Sequence, residues 1–279
     1  MHRNTSNPFY KDYIKLFYLL MSPVLGKKLF QYFFEKLFLF SLAGMNYGWG
    51  SPSNSGERFV LEYINSKFRT NLTIFDIGAN KGEYTEEILE IMNKKPKIYI
   101  FEPLRAAYSV LGRKFTKNKQ VKIFNLGFSD KFGKRIIYFD ESASVLASLY
   151  QRKAGSMGLP VSLTNRERIN LTTIDLFCTE NKISHIDLLK IDTEGHELKV
   201  LQGAKKMLEK NKVGFIQFEF AGTMIDSRTF FRDIYSFLNP TYKIYRILQD
   251  GLREIKNCDE RQEIFLVSNF LAINRSLNK

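Results

Sequence analysis

Short apolar runs alternate with amphipathic stretches along most of this chain. Residues 72–75, 98–101, 121–126, 186–191 and 213–220 are mostly apolar, and the segments between them carry apolar groups at helical spacing. Strands apolar on both faces and separated by helices predict a parallel sheet covered on both sides. Residues 57–67 read as a helix ahead of the first strand. Residues 242–248 and 263–273, on either side of a polar Asp250-Gly251 turn, read as a closing antiparallel hairpin. The whole predicts an α/β, Rossmann-like core: a mostly parallel seven-stranded sheet with helices on both faces.

Two helices are predicted before this core. Phe30, Phe33, Phe34, Leu37 and Phe38 keep helical spacing, while Leu29, Tyr32, Leu39 and Phe40 put apolar groups on the other sides. A helix apolar nearly all round needs burial, against the main domain, a partner subunit or, helped by the flanking lysines, the surface of a membrane. Residues 9–45 are interrupted by Lys11, Asp12, Lys15, Pro23, Lys27, Lys28, Glu35 and Lys36. They contain no run of about 18 uncharged apolar residues, so no spanning helix is expected. Nor is an export signal: the first ten residues are polar and no cleavage site follows a short apolar run. Residues 48–56 read as a turn-rich linker. The expected organisation is a helical extension and linker over 1–55 and a main domain over 56–279. An irregular insertion around 141–168, carrying Arg152, Lys153, Arg166 and Arg168, would suit a substrate lid.

Composition adds two constraints. The formal net charge of +13 draws polyanions without choosing among nucleic acid, anionic lipid and acidic glycan. The two cysteines, Cys178 and Cys258, form no C-x-x-C pair, which argues against a disulfide framework or a thiolate zinc site and suits a reducing, cytoplasmic setting.

The strongest local pattern is Ile74-Phe75-Asp76-Ile77-Gly78-Ala79-Asn80-Lys81-Gly82-Glu83-Tyr84. It predicts a strand ending in Asp76, a glycine loop in which Gly78 admits a ligand close to the backbone, and a helix starting tightly after Gly82. The spacing Gly78-x-x-x-Gly82 is not the dinucleotide fingerprint. Asp76 at the loop mouth would repel a pyrophosphate and welcome a cationic α-amino group, such as the methionine end of S-adenosylmethionine. Glu102, in Phe101-Glu102-Pro103 at the end of the second strand, can accept both hydroxyls of a ribose. Asn125-Leu126-Gly127-Phe128-Ser129-Asp130 closes the next strand, and backbone and side-chain groups at that edge could read an adenine. In Lys190-Ile191-Asp192-Thr193-Glu194-Gly195-His196-Glu197, Asp192 ends the strand nearest the switch point of the sheet. The last parallel strand delivers Glu219. Helix capping would account for some of these acids, but four carboxylates and an imidazole exceed what capping requires.

These blocks, with Leu171-Thr172-Thr173-Ile174-Asp175 and Val200-Leu201-Gln202-Gly203-Ala204, resemble the FkbM family of methyltransferases from about residue 73 to 220. The resemblance implies a class I fold, S-adenosylmethionine as donor and a hydroxyl acceptor on a macrolide or sugar, in bacteria often a surface polysaccharide. It leaves the residues before 55 and after 248 unmatched, and with them the choice of substrate. Asp76, Gly78, Ala79, Asn80, Gly82, Tyr84, Glu102, Pro103, Gly127 and Asp192 are the candidate cofactor-binding residues.

Methyl transfer is an in-line displacement that depends on positioning, and an alcohol needs help to lose its proton. Asp192 or Glu219 is the candidate base, with His196 as the alternative and Glu194 orienting substrate or base. A divalent cation on some of these carboxylates could acidify the hydroxyl instead, though no residue is assigned as its ligand. An RNA methyltransferase is the first rival, favoured by the charge and by Lys190 and Asp192 sharing a strand face. Against it, no RNA-binding module precedes the core and the Asn/Asp-Pro-Pro-aromatic signature is absent. A catalytically silent cofactor-binding scaffold is the second. The expected setting is the cytoplasm, at or near the inner face of the membrane, and the oligomeric state is left open.

Overall fold

The computed structural model describes residues 8–48, 52–68, 72–93, 95–140, 147–152 and 163–278. They fall into two compact units that divide between Met45 and Asn46. The first holds α1 (Pro8–Met21) and α2 (Gln31–Gly44). The second holds everything else, and it already includes Asn46, whose side-chain amide donates to the carbonyls of Ser55 and Ile247 at 3.0 Å each.

In the second unit the strands are β1 (Thr73–Ile77), β2 (Lys97–Phe101), β3 (Val121–Phe124), β4 (Gly127–Phe128), β5 (Gly133–Phe139), β6 (Asn165–Thr172), β7 (Ile186–Ile191), β8 (Val213–Phe220), β9 (Tyr242–Leu248), β10 (Gly251–Glu254) and β11 (Ser268–Asn274). Its helices are α3 (Pro52–Ser55), α4 (Glu57–Lys67), α5 (Glu83–Ile91), α6 (Arg105–Phe115), α7 (Ile174–Glu180), α8 (Glu197–Gln202), α9 (Lys205–Glu209), α10 (Thr223–Ser227) and α11 (Phe231–Leu238).

Among the described residues the main sheet has eight strands in the order β10-β9-β11-β8-β7-β1-β2-β3. β3, β2, β1, β7 and β8 are mutually parallel, and β11 runs antiparallel between β8 and β9. The chain leaves β1 towards β2 and β3, then returns to β7 on the other side of β1. The switch point, where open α/β sheets bind ligands, therefore lies between β1 and β7. Period-two alternation splits the core: Ile74, Ile98 and Leu188 pack with Val60, Leu61, Ile88 and Leu111 of α4, α5 and α6. Phe75, Phe101 and Leu189 pack with Ile174, Phe177, Val200 and Phe231 of α7, α8 and α11.

Three expectations need correction. The sheet has eight strands rather than seven, because the Asp250-Gly251 turn joins β9 to a short edge strand, β10, while the closing strand β11 starts only at Ser268 and inserts beside β8. The linker read over 48–56 contains α3, and Gly56, at φ +87°, packs so closely on β9 that a Cβ there would lie 2.1 Å from the carbonyl oxygen of Leu248. The insertion read over 141–168 is not irregular throughout. Residues 165–168 belong to β6, which pairs antiparallel with β5 and parallel with β4 in a second, three-stranded sheet. Arg166 and Arg168 are exposed on it. Residues 141–146 and 153–162, Lys153 among them, lie outside the described residues.

Candidate active site

The loop after β1 turns back on the sheet. Gly78 N–H and Ala79 N–H donate to the carbonyl of Phe101 at 3.0 and 3.3 Å, and Gly82, at φ +81°, starts α5 against Leu111 and Phe115. A cavity of about 360 Å³ opens over this loop and the carboxyl ends of β2, β7 and β8. Gly78, Ala79, Asn80, Tyr84, Glu102, Pro103, Gly127, Asp192, Glu194, His196 and Glu219 all line it. The structure thus brings together eleven residues that the sequence spreads over more than 140 positions.

Asp76 and Gly82 are not on that lining. Asp76 is fully buried beneath the loop, where Oδ2 accepts from the Thr85 hydroxyl at 2.7 Å and Oδ1 lies 3.7 Å from Lys190 Nζ. Burial raises its pKa, and Lys190 opposes that. In place of the expected direct contact with a ligand ammonium, Asp76 anchors Lys190. That lysine is itself buried, with Nζ 3.2 Å from Asp192 Oδ2 and 5.2 Å from the centre of the Tyr84 ring. Burial works against its charge, but Asp192 and Asp76 outweigh burial and hold it protonated. Gly82 instead provides packing room for α6.

Glu102 is buried, with one backbone N–H on each oxygen: Asn80 at 2.9 Å and Leu104 at 2.9 Å. Burial lifts its pKa to about 7 despite those bonds. A carboxylate has four acceptor sites, so two remain for hydroxyl groups in the cavity. Asn125 holds the turn from behind, donating to the carbonyls of Glu102 and Pro103 at 3.0 and 2.8 Å.

At the other end, one carboxylate oxygen each from Asp192, Glu194 and Glu219 lie within 4.8 Å of one another. Burial pushes the Glu194 pKa up to about 8, with Asp192 adding to it, and the same two causes raise Glu219 well above the usual carboxylate range. Such a group is relieved by a proton or by a divalent cation, and its geometry could hold either. Glu197, one turn on, is spent on structure: Oε1 accepts from Thr193 N–H at 2.8 Å and Oε2 from Gly195 N–H at 3.0 Å.

His196 does not have a free nitrogen for a substrate. Nε2 is 2.9 Å from the Ser129 hydroxyl and Nδ1 is 2.8 Å from the Tyr150 hydroxyl. Burial depresses its pKa to about 4, so the ring is neutral. Both nitrogens of the residue expected as the alternative base are thus engaged by hydroxyl groups of the chain.

Three contributors escaped the sequence reading. Glu57, at the start of α4, lines the cavity, and its Oε1 accepts from Gln217 Nε2 at 2.7 Å. Gln217 Oε1 in turn accepts from the Tyr84 hydroxyl at 2.8 Å. Burial raises Glu57 to a pKa of about 7. Gln217, a polar residue inside the otherwise apolar β8, left a trace in the sequence. Glu57 and Tyr150 left none, whereas Ser129 lies in the strand-end run expected near an adenine and instead meets His196.

The family model for the methyltransferase FkbM domain matches residues 76–247, well over half of the chain. The chain belongs to the FkbM methyltransferase family. It is also 26% identical over 157 residues to the 2-O-methyltransferase NoeI of Sinorhizobium fredii (strain NBRC 101917 / NGR234), a match that spans 53% of this chain and 63% of NoeI. Among solved structures, methyltransferase FkbM from Methylobacillus flagellatus KT aligns with a TM-score of 0.43 and 17% identity, over 76% of this chain and 50% of that one. An O-methyltransferase from Bacillus cereus in complex with SAH aligns with a TM-score of 0.43 and 11% identity, over 92% and 96% of the two chains.

Proposed function

We propose that this methyltransferase moves the methyl group of S-adenosylmethionine to a hydroxyl oxygen of a sugar, in a surface glycan or its precursor. The observation that carries the reading is one cavity with a nucleoside-type half at Gly78 and Glu102 and three converging carboxylates at its other end. The residues present suit the donor. Glu102 has acceptor sites left for ribose hydroxyls. Pro103, Leu126 and Phe128 line the cavity as apolar walls for a flat ring, and Glu57 and Lys190 offer an acid and an ammonium for the amino-acid end. The donor supplies an electrophilic methyl group on sulfonium.

The chain supplies the rest. Asp192 and Glu219 are the groups within reach to take the hydroxyl proton, and the raised pKa of Glu219 makes it the stronger base once ionised. Glu194 orients the acceptor. His196 stays out of proton transfer and fixes Tyr150 against the turn. That NoeI is described as a 2-O-methyltransferase favours oxygen as the atom methylated.

We also place α1 and α2 at the inner face of the membrane. Leu29, Phe33, Phe38 and Phe40 stand beside Lys27, Lys28 and Lys36, a composition suited to shallow insertion. No helix among the described residues is long and apolar enough to cross a membrane. Co-sedimentation with phosphatidylglycerol vesicles should be lost when residues 1–45 are removed.

The function is tested by comparing surface glycans of wild-type and deletion strains by mass spectrometry, with tritium transfer from labelled donor to extracts as the biochemical arm. Loss of one methyl, about 14 mass units, from a sugar residue is expected. Label entering RNA but no glycan fraction would overturn the reading.

A further inference from the structure

Arg152 is the feature of the cavity that methyl transfer leaves unused. It is 8% exposed and lines the cavity, yet its Nε and Nη1 have no hydrogen-bond acceptor among the described residues. The nearest carboxylate oxygen with which it pairs is Glu194 Oε2, 3.8 Å from Nη1: close enough for attraction, too far for a hydrogen bond. Buried donors of a cation without acceptors are costly, and the cost is recovered when a ligand brings the missing oxygens.

The guanidinium is held by an anchored segment. Ser148, four residues earlier, exchanges backbone hydrogen bonds with Tyr138 of β5 at 2.8 and 2.9 Å, and its hydroxyl donates to the Glu194 carbonyl at 2.7 Å. Leu149 and Ala147 pack with Ile137, Ile169 and Leu171 of the small sheet. Arg152 and Glu194 are thus tied through one short stretch of chain, and Arg152 reaches the acid-lined end of the cavity from it.

We infer that Arg152 receives an anionic group, a carboxylate or a phosphate, carried by the acceptor close to the hydroxyl that is methylated. This rests on the function proposed above and narrows it: the acceptor is an acidic sugar or a phosphorylated one, not a neutral sugar. A planar guanidinium fork matches either anion through two parallel hydrogen bonds, which a hydroxyl cannot reproduce. The net charge of +13 favours the approach of such an acceptor.

Calorimetry on the full chain, with and without saturating S-adenosylhomocysteine, tests it using glucuronate, glucose 1-phosphate and glucose at fixed ionic strength. At least one anionic sugar should bind about tenfold or more tightly than glucose, as expected for a charge-assisted bond. Glucuronate alone points to a uronic acid, glucose 1-phosphate alone to a sugar phosphate. Arg152→Gln should erase the preference, and Arg152→Lys should retain part of it, while both bind S-adenosylhomocysteine within about threefold of wild type. Equal binding of all three sugars by wild type overturns the inference, even if neither variant folds. So does a preference that survives Arg152→Gln, or a loss of S-adenosylhomocysteine affinity in folded Arg152→Gln, which would assign the guanidinium to the donor's carboxylate. If wild type fails to bind S-adenosylhomocysteine at all, it is the methyltransferase reading that falls.

Discussion

The carbonyl oxygen of Asp192 occupies the space that a side chain on Gly78 would need: a Cβ there would lie 1.7 Å away. Asp192 N–H also donates to the carbonyl of Ile77 at 3.0 Å, so the turns after β1 and β7 are locked together across the switch point. Gly78 has φ +79°, which a side chain would strain even with room to spare. Gly78→Ala should therefore abolish S-adenosylhomocysteine binding in calorimetry and lower the unfolding midpoint. Gly112→Ala, within α6 with nothing within 4 Å of the new methyl group, should instead stabilise by about 0.5–1 kcal/mol. Equal tolerance at both positions would contradict this packing.

Glu219 owes its raised pKa to burial first, then to the charges of Asp192 and Glu194. If Glu219 is the base, kcat rises with pH as it ionises. Removing the Glu194 charge lowers the Glu219 pKa, so Glu194→Gln should move the acid limb of the pH–rate profile to lower pH. Glu219→Gln and Asp192→Asn should each cut kcat by about 10²–10⁴-fold with S-adenosylhomocysteine affinity nearly unchanged. Wild-type turnover in either variant removes that residue from proton transfer.

His196 gives an acid-side signature. Its folded pKa, about 4, lies below the ordinary value near 6.5, so its contribution to stability is present above pH 6.5 and is lost as pH falls towards 4. Against a His196→Gln variant, wild type should lose up to about 3 kcal/mol of relative stability across that window. Its kcat should be far less sensitive to the substitution than to Glu219→Gln. Denaturant unfolding at several pH values and a single rate measurement decide both points.

The buried glutamates act with the opposite sign. Glu57, Glu102 and Glu197 titrate at about 7 and Glu194 at about 8 when folded, against 4.5 when free. Their contribution is fully present below pH 4.5 and is lost as pH rises through 7 to 8. Between about pH 7.5 and 8.5, where His196 is largely neutral in both states, the unfolding midpoint should fall as pH rises. A flat or rising profile would show that these carboxyls are not desolvated in solution.

Local pattern carried much of this. The strands β1, β2, β7 and β8 and the helix α4 are legible because a strand covered on both faces must be apolar throughout, and an amphipathic helix must repeat its apolar face. The edge strand β10 was not legible: four residues, two of them charged, at a sheet edge need no apolar alternation. The insertion misled because its polar residues sit on β6, whose exposed face hides a strand among charges.

The sequence by itself determined the class of the sheet, the glycine loop, the acids at the strand ends and the family, because backbone conformation and strand order leave periodic marks on neighbouring residues. Only the tertiary structure decided which of those acids meets the cavity. Asp76 and Asp192 read alike as strand-end carboxylates, yet one is sealed beneath the loop with Lys190 and the other lines the cavity. Glu57 and Arg152 join the site from segments with no motif at all. Burial and charge are summed over groups far apart in the chain, and spacing along the sequence holds no record of that sum.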